Sequence, residues 1–407
     1  MQTQLADFIR DTPEGVEAER ILRSCVHCGF CLATCPTYQI LGDELDSPRG
    51  RIYLIKQYLE SGEVSEKTQL HLDRCLTCRN CETTCPSGVE YSKLLDIGRN
   101  LIEKQVPRSP LVALQRYALR QVLPRPTLFS SLLALGHAAR PFLPASLKAK
   151  LPEKQNSSPR PQARYARRML VLEGCVQPAL APNINAAAAR LLDKIGISLV
   201  VADKAGCCGA VSYHLNAQDE GLDYMRRNID AWWPHLDAGA EAIVMTASGC
   251  GVTVKEYGHY LQHDPAYAAK AAQVSALTRD LSEVVLAEAE ALKNQFEPLP
   301  KPRARVAFHA PCTLQHGQKI TGVVEALLTV AGFEVMTVSE SNLCCGSAGT
   351  YSILQPEISN QLRERKLGHL QARQPEVIAT ANIGCLTHLQ SGTATPVRHW
   401  IELLDEA

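Results

Sequence analysis

The chain has 407 residues, enough for two or three domains with sizeable cores, and its 42 basic residues balance its 42 acidic residues. This balance excludes the strongly basic composition that is typical of nucleic-acid-binding proteins, and a hydrophobic content of 45% excludes wholesale disorder. The most informative number is the count of 16 cysteines. A chain of this length is not a small scaffold held together by disulfides, so its many cysteines need another explanation.

The first 24 residues are charged and contain no apolar segment of the kind found in signal peptides, which predicts a cytosolic protein. In the reducing cytosol, clustered cysteines bind metals more often than they form disulfides. No uninterrupted apolar run approaches the ~20 residues that span a bilayer, so we expect any contact with a membrane to be peripheral or through a partner.

Two cysteine runs occupy the N-terminal quarter: CVHCGFCLATCP at 25–36 and CLTCRNCETTCP at 75–86. Both have the C-x2-C-x2-C-x3-C-P spacing of bacterial [4Fe-4S] ferredoxins, in which the first three cysteines bind one cluster and the fourth binds the other. The predicted ligands are therefore Cys25, Cys28, Cys31 and Cys85 for the first cluster, and Cys75, Cys78, Cys81 and Cys35 for the second. Two zinc sites, each with four cysteine ligands, are the alternative, although these normally use paired C-x2-C knuckles.

The residues between the two runs predict helices. Ser47 is a good N-cap for a helix over 47–62, which Gly62 ends, and a second helix is predicted over 66–75. Residues 1–96 are therefore expected to form an α-helical domain that carries both clusters. Arg49 and Arg51 face a cluster or a partner, or else lie at a solvated helix start.

The segment 97–168 carries a net charge of +12, so the remainder of the chain is equally negative. Its apolar stretches at 111–123 and 128–143 predict amphipathic helices broken by prolines, and 151–164 is typical of a linker. The positive charge fits contact with anionic lipid or an acidic partner, or a segment whose charges are compensated within the fold.

The remaining cysteines mark an internal duplication. Three of them recur at an offset of 137 residues and the fourth at 135, and both copies contain the sequence Cys-Cys-Gly. The first copy, 169–300, contains Cys175, Cys207, Cys208 and Cys250, and the second copy, 301–407, contains Cys312, Cys344, Cys345 and Cys385.

Short apolar runs alternate with helical patterns in each copy, which predicts a mostly parallel α/β sheet. The predicted strands are 169–174, 198–203 and 242–248, with counterparts 305–310, 334–339 and 376–382. Each strand leads into a cysteine, so we expect the thiols of each copy to meet at the carboxyl ends of its strands. Such a group suits an iron–sulfur cluster, a zinc ion or a redox dithiol, although cysteines also serve as packing residues.

The whole chain resembles the iron–sulfur subunits of glycolate oxidase (glycolate dehydrogenase). The resemblance is carried by the two ferredoxin runs, by DSPRGRI at 46–52 and by the two Cys-Cys-Gly domains. More distantly, the chain is similar to the C subunit of anaerobic glycerol-3-phosphate dehydrogenase, to lactate-utilisation iron–sulfur proteins and to heterodisulfide reductase subunits. The fullest family pattern ends each domain with C-x-x-C, but here Thr253 and His388 replace the last cysteine, so five-thiolate clusters do not carry over. His388 is either a substitute ligand or a structural residue.

The resemblance implies an α+β multidomain protein that works as a subunit of an oxidoreductase complex. FAD-containing partner subunits would oxidise glycolate to glyoxylate, and D-lactate as well, and this chain would pass the electrons to membrane quinone. No G-x-G-x-x-G or P-loop pattern is present, so we expect no flavin, no substrate-oxidising residue and no nucleic-acid partner here. The expected location is the cytoplasmic face of the inner membrane, or else the cytoplasm. The alternative function is a Cys-Cys-Gly centre that itself reduces a disulfide or a quinone.

Overall fold

The computed structural model describes residues 1–142, 144, 152–293 and 302–407. The predicted boundary between the two copies at 300, the end of the apolar stretch at 143 and the start of the linker at 151 lie outside the described residues. None of the described helices is both long enough and apolar enough to cross a bilayer.

The N-terminal part of the chain is helical. Its helices are α1 (Pro13–Ser24), α2 (Pro36–Leu41), α3 (Pro48–Ser61), α4 (Glu66–Asp73), α5 (Asn80–Thr84), α6 (Tyr91–Gln105), α7 (Pro110–Val122) and α8 (Pro126–Ala139). Ser47 caps α3 by accepting a hydrogen bond from the Gly50 amide, and Gly62 ends the helix in the left-handed conformation, as the sequence predicts. Helix α6 continues past residue 96, so the basic segment begins inside a helix that belongs to the N-terminal core.

The C-terminal part contains two four-stranded sheets, in which every strand pair is parallel. The first sheet has the order β2-β1-β3-β4 and consists of β1 (Arg167–Val171), β2 (Ile197–Val201), β3 (Ile243–Met245) and β4 (Thr278–Asp280). The second has the matching order β6-β5-β7-β8 and consists of β5 (Arg305–His309), β6 (Glu334–Met336), β7 (Val377–Thr380) and β8 (Val397–His399). The predicted α+β organisation is therefore confirmed, whereas β4 and β8 were not predicted from the sequence.

Helices cover the sheets of both copies. In the first copy they are α9 (Gln177–Leu180), α10 (Asn183–Asp193), α11 (Ala210–His214), α12 (Gln218–Asp237), α13 (Ser248–Lys255), α14 (Tyr257–Tyr260), α15 (Ala268–Leu277), α16 (Leu281–Ala287) and α17 (Ala289–Lys293). In the second copy they are α18 (Val323–Val330), α19 (Tyr351–Leu354), α20 (Pro356–Gln371), α21 (Ile383–Gln390) and α22 (Trp400–Asp405), and a π-helical turn covers Thr313–Gly317.

Helices of each copy pack against helices of the other copy. Helix α16 of the first copy packs on α18 of the second, and α22 of the second copy packs on α10 of the first. Asp280 and His399 form the capping boxes of α16 and α22, and the Nε2 atom of His399 lies 2.9 Å from the Thr246 carbonyl oxygen of the other copy. One continuous apolar core therefore runs through both copies, and it fixes their relative position.

Several of the described basic residues of the 97–168 segment form ion pairs inside the molecule. Arg108 binds the carboxylates of Asp73 and Glu103, and Arg120 binds that of Glu220. Further ion pairs join Arg160 to Glu173, Arg164 to Asp193 and Arg167 to Glu241. Part of the positive charge of this segment therefore serves the fold.

Candidate iron–sulfur centres

The first set of predicted ligands converges on one small cavity. Cys25, Cys28, Cys31 and Cys85 all line this space of about 30 Å³, so the fourth cysteine of the second run lies with the first three of the first run. Cys81, which is predicted for the second cluster, and Arg49 also line it, and the remaining residues include the apolar Val26, Phe30 and Ile52. Thiol donors inside an apolar shell match the requirements of a [4Fe-4S] cluster.

The two C-x2-C-x2-C loops have the same backbone shape. Residues His27 and Gly29 of the first loop, and Thr77 and Arg79 at the same positions of the second, all have positive φ angles between 54° and 85°. This repeated left-handed turn curls each loop so that its three thiols point to one side. Arg79 adopts this left-handed conformation although it lacks the conformational freedom of glycine. Its guanidinium binds the carboxylate of Glu82 and, across the domain interface, that of Glu256.

The second set of thiols is more deeply buried than the first. Burial raises the pKa of the Cys81 thiol well above its ordinary value, and the neighbouring charges of Cys78, Cys75 and Cys35 raise it further because these thiols lie together. Burial also raises the pKa of Cys35, whose sulfur lies 3.3 Å from the Thr37 hydroxyl. Such thiols become thiolates only where cations offset their charge, and the irons of a cluster provide that charge.

Two buried arginines stabilise the segments around the second loop. Arg51 is fully buried and donates to the His71 carbonyl oxygen at 2.7 Å and to Asp46 Oδ1 at 3.2 Å. Arg99 donates to the carbonyl oxygen of Cys75 at 2.8 Å. Arg51 is therefore not at a solvated helix start, whereas Arg49 is partly exposed and pairs with a surface carboxylate.

The two predicted centres have different surroundings. Cys28 of the first set is exposed to solvent. In the second set, Cys78 contacts the second Cys-Cys-Gly copy, because the thiol of Cys312 lies within hydrogen-bonding reach of Cys78 and of Cys344. One centre is thus close to the surface, and the other adjoins the C-terminal half of the chain.

The thiols of each Cys-Cys-Gly copy meet at the carboxyl ends of its strands, as predicted. In the first copy, hydrogen bonds with Cys175 and Cys208 raise the pKa of Cys207, and hydrogen bonds with Cys207 and Cys250 lower that of Cys208. In the second copy, the four thiols touch in the order Cys312, Cys344, Cys345 and Cys385. A hydrogen bond with Cys312 lowers the pKa of Cys344, but Cys345 and burial raise it more, to about 12.

A cavity of about 1600 Å³ lies between the N-terminal domain and the two copies. Ten cysteines line it: Cys75, Cys78, Cys175, Cys207, Cys208, Cys250, Cys312, Cys344, Cys345 and Cys385. All eight Cys-Cys-Gly thiols therefore face the same space as part of the second ferredoxin loop.

Two histidines of the second copy lie near its thiols, and the structure supports the structural alternative for His388. The Nε2 atom of His388 lies 3.2 Å from the Ser359 hydroxyl, and burial lowers the pKa of its ring to about 4, so this residue is structural. Sequence reasoning missed His309, the last residue of β5, whose pKa burial lowers to about 3. The only signal in the sequence was its position three residues before Cys312, where the first copy has Leu172 at the same offset.

Comparisons with known proteins agree with this division of the chain. A family model described as a 4Fe-4S dicluster domain matches residues 21–89, and one described as a cysteine-rich domain matches residues 169–255 and 306–390. These ranges contain the cysteines described above, and they show that the chain binds iron–sulfur clusters.

Full-length relatives identify the type of protein. The chain is 58% identical to the glycolate oxidase iron-sulfur subunit of Escherichia coli, over 100% of this chain and 99% of the relative. It is 29% identical to a probable glycolate oxidase iron-sulfur subunit of Bacillus subtilis, over 91% and 89% of the two chains, and 25% identical to lactate utilization protein A of Geobacillus kaustophilus, over 57% and 95%. With its ferredoxin loops, its duplicated cysteine-rich domain and a full-length relative of such similarity, this chain belongs to the family of glycolate oxidase iron–sulfur subunits.

Proposed function

We propose that this chain carries electrons from flavin-containing subunits, which oxidise glycolate to glyoxylate and also D-lactate, to a membrane quinone. The observation that carries the proposal is the pair of matching C-x2-C-x2-C loops, each closed by the fourth cysteine of the other run. A [4Fe-4S] cluster accepts and releases one electron at a time, whereas a flavin converts the two electrons of a hydroxy acid into single ones.

The crosswise ligand sets are testable with paired substitutions. Because Cys25 and Cys85 are assigned to one cluster, we expect the double variant Cys25→Ala/Cys85→Ala to lose about four irons, no more than either single variant. The matched double variant Cys75→Ala/Cys85→Ala affects both clusters and should lose about eight. The opposite result, in which the first double variant loses both clusters, would refute the crosswise assignment.

Electron transfer is testable in the complex with the flavin-containing subunits. Glycolate should reduce a soluble quinone analogue in the complex with the unaltered chain, and the rate should fall to background with Cys25→Ala/Cys85→Ala. Reduction of the flavin by glycolate should continue, because substrate oxidation belongs to the partner. Equal quinone reduction with both forms of the chain would contradict the proposal.

The cysteine-lined cavity favours a role for the Cys-Cys-Gly copies in the same path. Cys312 contacts Cys78, so the second copy adjoins the second predicted cluster. The four thiols of the first copy form one group, which we propose as the position of a third cluster. Iron analysis separates the two outcomes, since two clusters correspond to about eight irons per chain and three to about twelve.

The size of that cavity also favours the alternative function, a thiol- or quinone-reducing centre within the copies. Such a centre requires both thiols of the Cys-Cys pair. A Cys208→Ala or Cys345→Ala variant that assembles with full cluster content but no longer passes electrons would support it. Unchanged electron transfer in both variants would exclude it.

We propose that α7 and α8 form the peripheral contact with the cytoplasmic face of the inner membrane. Neither helix contains an acidic residue, and most of their leucines are exposed, with Leu111 at 76% and Leu135 at 66%. Exposed apolar side chains on amphipathic helices bind the interface of a bilayer. Leu114→Glu/Leu135→Glu should abolish sedimentation with vesicles that contain anionic lipid, whereas the control Leu286→Glu, at another exposed leucine, should not.

A further inference from the structure

His309 has an unusual environment for a histidine. It ends the central strand β5, its exposed fraction is 2%, and neither ring nitrogen has a hydrogen-bond partner among the described residues. Buried polar atoms are nearly always paired, so two unpaired nitrogens on one ring call for a partner of another kind. His399, which is equally buried, shows the usual arrangement, with a backbone contact at each nitrogen.

Two cysteine thiols lie beside the ring of His309. A ring nitrogen of His309 and the sulfur atoms of Cys345 and Cys385 all lie within 4.8 Å of one another. The three residues come from the carboxyl ends of neighbouring strands: His309 from β5, Cys345 from the loop after β6, and Cys385 from the helix that follows β7. The topology of the sheet thus brings one imidazole and two thiols together from distant parts of the sequence.

We propose that His309, Cys345 and Cys385 bind a single divalent ion of the zinc class, with the fourth coordination position open to the cavity. Zinc takes nitrogen and sulfur ligands in tetrahedral geometry, and two thiolates with one neutral imidazole balance its charge in a buried site. All three residues line the cavity, so water or a small ligand reaches the fourth position. The side-chain nitrogen of Asn382 lies 3.6 Å from the Cys385 sulfur and donates a hydrogen bond to this proposed metal ligand.

The duplication supplies an internal comparison. The first copy has its cysteines at equivalent positions, but Leu172 stands where the second copy has His309, and this leucine is packed in an apolar core. The first copy therefore offers only sulfur ligands, whereas the second offers a mixed set. We infer that the two copies have diverged to hold different metal centres.

The test is metal analysis of the full-length chain, purified anaerobically from zinc-containing medium. We expect about one zinc per chain, with two sulfur and two nitrogen or oxygen neighbours in X-ray absorption spectra, one of them an imidazole. His309→Leu, which introduces the residue of the first copy, should remove the zinc and leave the iron content unchanged. His309→Cys should retain zinc with a third sulfur neighbour, which shows that the position and not the overall fold is affected.

His388→Gln is the matched control, because this half-buried histidine of the same copy is already bonded to Ser359. It should retain the zinc. The proposal is overturned if the unaltered chain lacks zinc, if His309→Leu keeps it, if the spectra show sulfur neighbours only, or if the His309 variant loses iron instead. Failure of glycolate-driven electron transfer would leave this result unaffected, so the two proposals are tested separately.

Discussion

The buried Arg51 provides a demanding test of how the N-terminal domain stabilises the segments around its predicted cluster ligands. Its guanidinium and the Asp46 carboxylate are both fully buried, and their closest atoms are 3.2 Å apart. The same guanidinium donates to the Thr37 hydroxyl, which lies beside the sulfur of Cys35. Replacing Arg51 with methionine keeps an unbranched apolar chain in place of the arginine stem but removes the charge and the hydrogen bonds.

The expected cost follows from burial. Removing one partner of a buried ion pair costs about 3–5 kcal/mol, because the other charge is left without compensation. Asp46 keeps a second contact at 2.9 Å with Arg74, so we expect a value near the lower end for Arg51→Met. Arg23→Met is the control on α1, where the ion pair with Glu19 is exposed and contributes little to the free energy of unfolding.

The assay is anaerobic unfolding in urea, followed by loss of the visible absorption of the clusters. With a slope of about 1–3 kcal/mol per molar urea, Arg51→Met should lower the midpoint by about 1–3 M, whereas Arg23→Met should shift it by less than about 1 M. Equal shifts for the two variants would show that burial of the pair contributes nothing to the free energy of unfolding.

Three further predictions follow from the rest of the chain. Burial lowers the pKa of His399 to about 3 in the folded state, whereas the pKa in the unfolded chain is near 6.5. The neutral ring therefore contributes fully to the free energy of unfolding above pH 6.5, and this free energy falls by about 1.4 kcal/mol for each pH unit below it. Urea unfolding at pH 7.5 and 5.5 should therefore show a smaller pH dependence in His399→Asn, and no such change in the exposed control His263→Asn. A Cβ atom at Gly346, where φ is +91°, would lie 2.4 Å from a carbonyl oxygen, so Gly346→Ala should destabilise the second copy by about 2 kcal/mol or more. The control Gly368→Ala, at a helix position where a Cβ atom meets no neighbour within 4 Å, should stabilise it by about 0.5–1 kcal/mol. In reduced Cys85→Ala, electron paramagnetic resonance should show a single cluster without the spin coupling of a neighbour, and a spectrum that keeps the coupling would contradict the assignment of this residue.

The sequence was most informative where the chemistry of a ligand fixes the local spacing. The two ferredoxin runs place three thiols within seven residues, and the offset between the copies aligns cysteines that the fold then brings together. Ser47 and Gly62 mark the ends of α3 because capping depends on single residues and neighbouring amides. Such features need little tertiary context.

The features that sequence reasoning missed depend on contacts between distant segments. Strands β4 and β8, with the sequences TRD and VRH, contain no apolar run that predicts a strand, and they form at the edge of each sheet because a neighbouring strand is already in place. His309 becomes distinctive only when the loops of the neighbouring strands bring two thiols to it. The exposed and buried arginines of the N-terminal domain likewise look alike in the sequence, and only the fold separates Arg49 from Arg51.

The proposed electron path depends on two [4Fe-4S] clusters that the first eight cysteines hold in adjacent sites. The most direct measurement is iron and acid-labile sulfide analysis of the anaerobically purified chain, combined with electron paramagnetic resonance after reduction. We predict at least about eight irons and eight sulfides per chain, with signals of two interacting clusters. A colourless protein without labile sulfide, or one with zinc at these eight cysteines, would contradict this assignment.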